Sequence, residues 1–345
     1  MQRALDLARN GFGSVSPNPM VGCVLVKEGQ IIGEGWHKQY GGPHAEVNAV
    51  DSVEDPTQIE GCTAYVSLEP CSHHGKTPPC ADLLIRHKVG RVVICHVDTN
   101  PLVGGKGIEK LVAAGIKAEA GVLAEEGRWI NRRFLSHMER KRPYILFKWA
   151  QTSDGFIARS NYDSRWISGA LSRKLVHKWR TEEDSILVGR HTAQQDNPQL
   201  TARNWPGKNP LRIVIDRHGR LPETLHLFDG SVPTLKYTLG PSRSEHNLET
   251  ITLPGEDFWQ EMLADLHERK VQSIFIEGGT TIIADLLRRG LWDEARVFTA
   301  PTRFGEGIAA PAVKGLTYRQ EQVGDDRLDY LLNPDHYTIP DNRIP

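Results

Sequence analysis

Two short stretches, PHAE at residues 43–46 and LEPCSHHGKTPPC at residues 68–80, are the most informative part of the first half of this chain. They place His44, Cys71 and Cys80 within 37 residues of sequence. Imidazole and thiolate are the ligands that zinc prefers, and three of them leave the fourth tetrahedral position open to water. An open position is typical of a catalytic zinc site. The first half is therefore predicted to be built around such a site.

Glu46 adds a proton carrier to these ligands, because a carboxylate beside a zinc-bound water can pass its proton to a leaving amine. His-x-Glu followed by Pro-Cys and a second Cys is typical of zinc deaminases. Positions i and i+2 do not share a face inside a helix, so His44 and Glu46 are expected in a first helical turn. Cys80 is also expected to begin a helix, where thiolates are favoured. A structural zinc and a metal-free cluster remain the alternatives.

The whole chain has the composition of a globular protein. Its 345 residues predict two domains. The net charge of −1 provides no bulk basic surface for nucleic acid or for a membrane. No apolar run is long enough to span a bilayer, and the first residues show no secretory signal. The five cysteines do not suggest disulfides, so we expect a cytoplasmic protein, with Cys23, Cys62 and Cys95 in the core.

Alternating strand and helix patterns predict an α/β fold in both halves. The densest charge run, HMERKRP at residues 137–143, is interpreted as the domain boundary. The predicted domains are residues 1–140 and 143–333, followed by a tail at 334–345. In the second half we predict strands at residues 144–149, 185–188, 211–216, 273–277 and 295–299.

The spacing of the two cysteines distinguishes this chain from the common classes of zinc deaminase. Eight residues separate Cys71 from Cys80, whereas nucleoside and nucleic-acid deaminases usually have two. This loop, together with PHAE and the earlier PNPMVG, resembles the bacterial family of bifunctional riboflavin-biosynthesis enzymes, RibD or RibG. The resemblance continues in DSRWIS (163–168), GRHTAQQDNPQLTAR (189–203), LRIVID (211–216) and IEGGTTI (276–282). It covers nearly the whole chain.

The resemblance implies two folds and two activities. The N-terminal domain is expected to be a cytidine-deaminase-like three-layer α/β/α unit that removes the 2-amino group of a phosphoribosylaminopyrimidine with zinc. The C-terminal domain is expected to be a dihydrofolate-reductase-like α/β unit that uses NADPH to reduce the ribosyl group to ribityl. The expected partners are small-molecule substrates and other copies of the chain in a homo-oligomer.

The resemblance also implies site residues. His44, Cys71 and Cys80 are expected to bind zinc, and Glu46 to carry the proton. The positions that match deaminase substrate contacts are Asn18, His73 and Lys76. The positions that match NADPH contacts are Ala150, Trp166, Thr192, Asp196, Gly279, Thr280, Thr281, Ile282, Ile283, Ala284 and Asp285. The positions that match the ribosyl phosphate substrate are Ser164, Arg180, Leu200, Arg203 and Glu277.

Ordinary explanations remain open for several of these residues. Asn18 lies between two prolines and fits a turn, while His73 and Lys76 fit a solvated loop. The Gly278-Gly279 turn before a helix suits a phosphate, but a tight turn explains it equally well. No GxGxxG fingerprint supports a Rossmann domain. The alternative functions are a nucleoside or nucleic-acid deaminase with an unrelated C-terminal domain, and a zinc-stabilised binding module.

Overall fold

The structure, a computed structural model, describes residues 1–72, 78–100, 104–163 and 166–337. The chain divides into two compact units, Met1–Lys141 and Arg142–Pro345. The division falls inside the charged run at residues 137–143. Arg142, which the expected limits leave outside both domains, belongs to the second unit.

The first unit is a sheet of five strands with helices on both faces. Strand β1 pairs antiparallel with β2 and β3, and β3, β4 and β5 are parallel, in the order β2-β1-β3-β4-β5. The elements are α1 (Gln2–Arg9), β1 (Gly22–Lys27), β2 (Gln30–Trp36), α2 (Ala45–Asp51), β3 (Thr63–Val66), α3 (Cys80–Arg86), β4 (Arg91–Ile94), α4 (Lys106–Ala113), β5 (Lys117–Ala120), α5 (Ala124–Ile130) and α6 (Arg132–Arg140).

Alternation along β1 explains the three layers, because successive side chains of a strand point to opposite faces. Cys23 and Leu25 are buried in one cluster with residues of α2, α3 and α4. Val24 packs in a second cluster with Ala4 and Leu7 of α1. The expected α/β/α arrangement is confirmed, and Cys23, Cys62 and Cys95 are buried as predicted.

The second unit is built on a ten-stranded mixed sheet in the order β11-β12-β10-β9-β8-β13-β6-β14-β17-β16. A two-stranded sheet joins β7 and β15. The elements are β6 (Tyr144–Thr152), β7 (Phe156–Ala158), α7 (Ala170–Glu182), β8 (Ser185–Gly189), α8 (Arg190–Asp196), β9 (Leu211–Ile215), β10 (Thr234–Thr238), β11 (Arg243–Glu245), β12 (Leu248–Thr252), α9 (Phe258–Glu268), β13 (Ser273–Glu277), α10 (Thr280–Arg288), β14 (Glu294–Ala300), β15 (Ile308–Ala309), β16 (Leu316–Val323) and β17 (Asp326–Leu332).

Strand β6 lies inside this sheet and separates its two cores. Ile145 and Phe147 join the cluster that contains residues of α9 and α10. Tyr144 and Leu146 join the cluster on the other face, which contains residues of α7. Both faces are covered, as expected for a central strand between parallel neighbours.

The structure adds strands that the sequence-based expectations lack, and it shows the secondary structure of the charged run. The run at 137–143 is largely the end of α6, and His137 and Arg142 are buried. The strands that were not predicted are β7, β10, β11, β12, β15, β16 and β17. Every residue of β11 is exposed, and β12 and β16 are only half-buried or exposed, so the apolar signal of these three strands is weak. Among the described residues, no helix is both long and apolar enough to cross a membrane.

Candidate functional site

The structure brings His44, Cys71 and Cys80 together at the start of two helices. His44 caps α2, and Cys80 is the first residue of α3. One ligand atom from each residue lies within 4.8 Å of the others. His44 Nδ1 is 3.3 Å from Cys80 Sγ and 3.6 Å from Cys71 Sγ. Tetrahedral zinc with ordinary bond lengths places such atoms about 3.6 Å apart, so the cluster fits zinc.

Cys71 is prepared to act as a thiolate ligand. Its Sγ accepts a hydrogen bond from the backbone N–H of Cys80, 3.3 Å away. Hydrogen bonding from the Cys80 thiol, together with this N–H and His44, lowers the pKa of Cys71 well below its ordinary value. The thiolate is therefore the favoured form of Cys71 at neutral pH.

Glu46 is buried beside this cluster. It is the second residue of α2, where the His-x-Glu spacing was expected to place it, and only 3% of it is exposed. Burial raises the pKa of Glu46 to about 7, and the nearby Cys71 adds to the increase. A carboxyl group with a pKa near neutrality can both take and give a proton at physiological pH.

Asn18 reaches the cluster through a buried histidine that the sequence analysis did not select. Asn18 Nδ2 lies 3.1 Å from His37 Nε2, and His37 Nδ1 lies 2.9 Å from the carbonyl oxygen of Pro43. The His37 ring packs edge-on against His44, with centroids 5.6 Å apart. Asn18 is thus more than a turn residue. His73 and Lys76, the other expected contacts, lie outside the described residues.

In the second unit, the structure brings Arg180 and Glu277 into a nearly buried ion pair. Arg180 Nε and Nη2 donate to the two carboxylate oxygens at 2.6 and 2.9 Å, and Nη1 donates to the carbonyl of Thr201. Burial opposes ionisation of Glu277, but the Arg180 charge keeps the pKa of Glu277 below its ordinary value. Three of the five N–H donors of Arg180 therefore bind protein groups in this structure.

Two further basic side chains lie at this pair. Lys148 is next to Glu277 in the register of β6 and β13, and burial lowers the pKa of Lys148. His177 Nδ1 is 3.0 Å from the carbonyl of Thr201, and its pKa is lowered by burial and by the charges of Arg180 and Arg203. Arg203 is exposed beside this group.

Two of the expected substrate contacts remain. Leu200 is buried with a φ of 53°. Ser164 lies outside the described residues.

The turn between β13 and α10 has the backbone needed for close approach of a ligand. Gly278 and Gly279 have φ of 78° and 82°, which other residues rarely adopt. A Cβ atom on either would lie 3.6–3.8 Å from the side chain of Thr192. The structure therefore joins Thr192 of α8 to the start of α10, two of the expected NADPH segments. A free helix N-terminus beside glycines fits a phosphate of the cofactor.

The remaining residues expected to contact NADPH differ in exposure and in the contacts that their side chains already make. Trp166 is 72% exposed, with the Arg173 guanidinium over its ring. Ile283 is buried in the core, so only its backbone can meet a ligand. Asp285 accepts a hydrogen bond from Trp259 Nε1. Ala150 is partly buried on β6, and Asp196 ends α8.

Sequence reasoning missed His37, Glu69, Lys148 and His177. A signal existed for Lys148, because it interrupts the otherwise apolar start of YILFKWA (144–150). A charged side chain inside a central strand must meet a partner or a ligand. His37, Glu69 and His177 carry no comparable local signal, since their partners lie on other elements.

Comparison with known proteins gives a family match in each of the two units. Residues 1–96 match the cytidine and deoxycytidylate deaminase zinc-binding region, and residues 143–328 match the RibD C-terminal domain. Riboflavin biosynthesis protein RibD of Aquifex aeolicus is 40% identical over 316 residues, covering 90% of this chain and 88% of that protein. The corresponding protein of Escherichia coli is 38% identical and covers 88% of each chain.

Solved structures of the same kind of protein are also similar to this chain. A diaminohydroxyphosphoribosylaminopyrimidine deaminase/5-amino-6-(5-phosphoribosylamino)uracil reductase from Thermotoga maritima superposes with a TM-score of 0.88 at 36% identity, covering 96% of this chain and 97% of that one. RibD of Acinetobacter baumannii gives a TM-score of 0.88 at 34% identity, with the same coverage.

Proposed function

The chain belongs to the RibD family of riboflavin-biosynthesis enzymes, and from this premise we propose which of its residues carry out the two reactions of that family. It is a bifunctional enzyme with a zinc-dependent deaminase and an NADPH-dependent reductase. Its first substrate is the diaminohydroxyphosphoribosylaminopyrimidine named for the Thermotoga relative. Its second is the phosphoribosylaminouracil that deamination produces.

The deaminase assignment depends on one observation, the buried Glu46 beside the cluster of His44, Cys71 and Cys80. Zinc, when bound by these three residues, supplies an activated water. Glu46 takes the proton of that water and delivers it to the departing 2-amino nitrogen. Burial supports this role because it holds the pKa of Glu46 near 7. Asn18, oriented by His37, is assigned to the pyrimidine ring.

The reductase assignment depends on the group of charged side chains around Glu277. NADPH, when bound along the start of α10, supplies the hydride. Arg203 is exposed next to His177 and is assigned to the substrate phosphate, which a guanidinium fork binds well. Arg180 is expected to hold Glu277 and the Thr201 carbonyl at the ribosyl end, because its donors already serve those groups.

Membership of the family also suggests the compartment and the oligomeric state of the enzyme. We infer a cytoplasmic homo-oligomer that acts on small molecules. In support, the five cysteines are free thiols, which suits a reducing compartment.

The test is a two-by-two assay of variants and substrates. Glu46→Gln should lower deamination by about 10²–10⁴-fold, since an amide cannot carry the proton, and should leave zinc content unchanged. Arg203→Ala should lower kcat/KM of reduction by about 10–100-fold through loss of a charged hydrogen bond, and should spare deamination. The exposed Glu125→Gln and Arg243→Ala serve as matched controls.

Two outcomes would contradict these assignments. Deamination by Glu46→Gln within a few-fold of the unmodified enzyme would remove Glu46 from the mechanism. Loss of reduction in folded Glu46→Gln protein, assayed on the already deaminated compound, would show that the reactions do not use separate sites.

A further inference from the structure

Glu69 is a buried carboxylate that the deaminase reaction, as assigned above, does not use. It stands two residues before the zinc ligand Cys71, and only 4% of it is exposed. A buried carboxylate is costly unless hydrogen bonds replace its water. The hydrogen-bond partners of the Glu69 carboxylate therefore indicate its role.

Four backbone N–H groups donate to this one carboxylate. Oε2 accepts from Asp98 at 3.2 Å and from Gly105 at 2.9 Å. Oε1 accepts from Gly107 at 2.9 Å and from Ile108 at 3.2 Å. An ionised carboxylate has about four acceptor positions, so all of them are used. The donors belong to the segment after β4 and to the first turn of α4.

The backbone beside Glu69 is held against the same helix. A Cβ atom on Gly107 would lie 2.1 Å from the carbonyl oxygen of Pro70, so α4 contacts the residue between Glu69 and Cys71 directly. The backbone N–H of Glu69 also donates to the carbonyl of His96 at 3.1 Å. The segment that carries Cys71 is outside any helix or strand, and these contacts replace regular structure there.

We propose that Glu69 is a positioning residue that holds Cys71 in place for zinc by tying its segment to the first turn of α4. This inference rests on the proposed zinc site. A metal ligand binds tightly only when its direction is set before the metal arrives, and groups behind the ligands supply that order. Cys71 has no regular element of its own, in contrast to Cys80 at the start of α3. On one side, the first turn of α3 holds Cys71 through the N–H groups of Cys80 and Ala81. On the other side, Glu69 holds the segment through its four hydrogen bonds.

A purely structural role for Glu69 predicts something different. The carboxylate would then only cap α4, and its loss would lower the free energy of unfolding without changing zinc affinity in the folded protein. A positioning role predicts weaker zinc binding at temperatures where the protein remains folded. The two readings are separated by measuring zinc affinity and unfolding independently.

The experiment uses Glu69→Gln in the full chain. Glutamine has nearly the same shape, but its amide NH₂ group faces two of the four backbone donors, so two hydrogen bonds are lost. The matched control is Glu109→Gln, which alters an exposed glutamate in the first turn of the same helix. Zinc affinity is measured by competition with a chromogenic chelator, and unfolding of the metal-free protein by circular dichroism.

We expect Glu69→Gln to weaken zinc binding by about 10–100-fold and to lower kcat of deamination at saturating zinc with little change in KM. Glu109→Gln should match the unmodified protein in zinc affinity, in unfolding and in the kinetics of deamination. If Glu69→Gln is poorly folded, Glu69→Asp, which keeps the charge on a shorter stem, is measured in its place. It should bind zinc with an affinity between those of the unmodified protein and Cys71→Ser.

Unchanged zinc affinity in a folded Glu69 variant would overturn the positioning role, even if unfolding occurred at a lower temperature. Cys71→Ser tests the premise separately. If Cys71→Ser keeps full zinc affinity, then the zinc site itself is wrongly assigned, whatever the Glu69 variants show.

Discussion

At the scale of single residues, the two sites hold their buried carboxylates in opposite ways. Burial beside Cys71 raises the pKa of Glu46 to about 7, which suits a group that exchanges protons. Glu277 is also buried, yet Arg180 keeps the pKa of Glu277 below its ordinary value. The difference is the presence of a guanidinium with two short hydrogen bonds. It predicts that the charge of Glu277 depends on Arg180.

Arg180→Gln is therefore expected to raise the pKa of Glu277, since burial is then opposed mainly by Lys148. The acidic limb of the pH profile for reduction should move to higher pH, because Glu277 becomes protonated earlier as pH falls. The measurement is kcat/KM against pH with the deaminated substrate, and Arg243→Gln is the exposed control. An unmoved acidic limb in active protein would show that the charge of Glu277 does not govern reduction.

At the scale of elements, both sites use the beginnings of helices. His44 and Cys80 stand at the starts of α2 and α3, and the Gly278-Gly279 turn leads into α10. Backbone N–H groups at these ends are unpaired within the helix and favour negative charge. Thiolates and phosphates are both anions, so the same backbone feature suits both of the proposed sites.

Glycines at the two ends of α10 offer a matched test of the phosphate role. Gly279 and Gly290 have φ of 82° and 67°, so alanine at either should cost about 1–2 kcal/mol of stability. Only Gly279→Ala should raise KM for NADPH, because Gly290 follows the opposite end of the helix. Steady-state kinetics with varied NADPH distinguish them. Equal KM values in both variants would remove the turn from the cofactor site.

At the scale of the whole molecule, the chain has two units, and the motifs of each expected activity lie within one unit. The zinc cluster lies within residues 1–141, and the expected cofactor and ribosyl positions follow residue 142. Arg142 begins the second unit, where it forms a buried ion pair with Asp293. Burial alone would raise the pKa of Asp293, but Arg142 keeps it below the ordinary value. This pair therefore stabilises the unit above about pH 4 and is lost as pH falls.

The two activities are expected to separate when the chain is cut after Lys141. Residues 1–141 should deaminate without NADPH, and residues 142–345 should oxidise NADPH only with the deaminated compound. Arg142→Gln in the second fragment should lower its stability by about 3–5 kcal/mol, because it removes the guanidinium that compensates the buried charge of Asp293. Urea unfolding measures this, with Arg243→Gln as the control. Two inactive but folded fragments would show that each reaction needs both units.

Features that depend on residue type and on local periods are predictable from the sequence alone. Ligand chemistry and the His-x-Glu and Pro-Cys motifs predict the cluster of His44, Cys71 and Cys80. Local apolar periods predict the strands at 144–149, 185–188 and 273–277. The glycine turn before α10 is also visible in the sequence. The resemblance to a known family added the substrates and NADPH, which no periodicity contains.

Contacts between residues that are far apart in the sequence are visible only in the tertiary structure. Glu69 meets its four donors about 30 to 40 positions further along the chain, and Arg180 meets Glu277 after 97. The exposed edge strands β11 and β16 form because a neighbouring strand pairs with them, although their own apolar pattern is weak. Buried charges select partners by proximity in the folded chain, and sequence separation carries no record of that proximity.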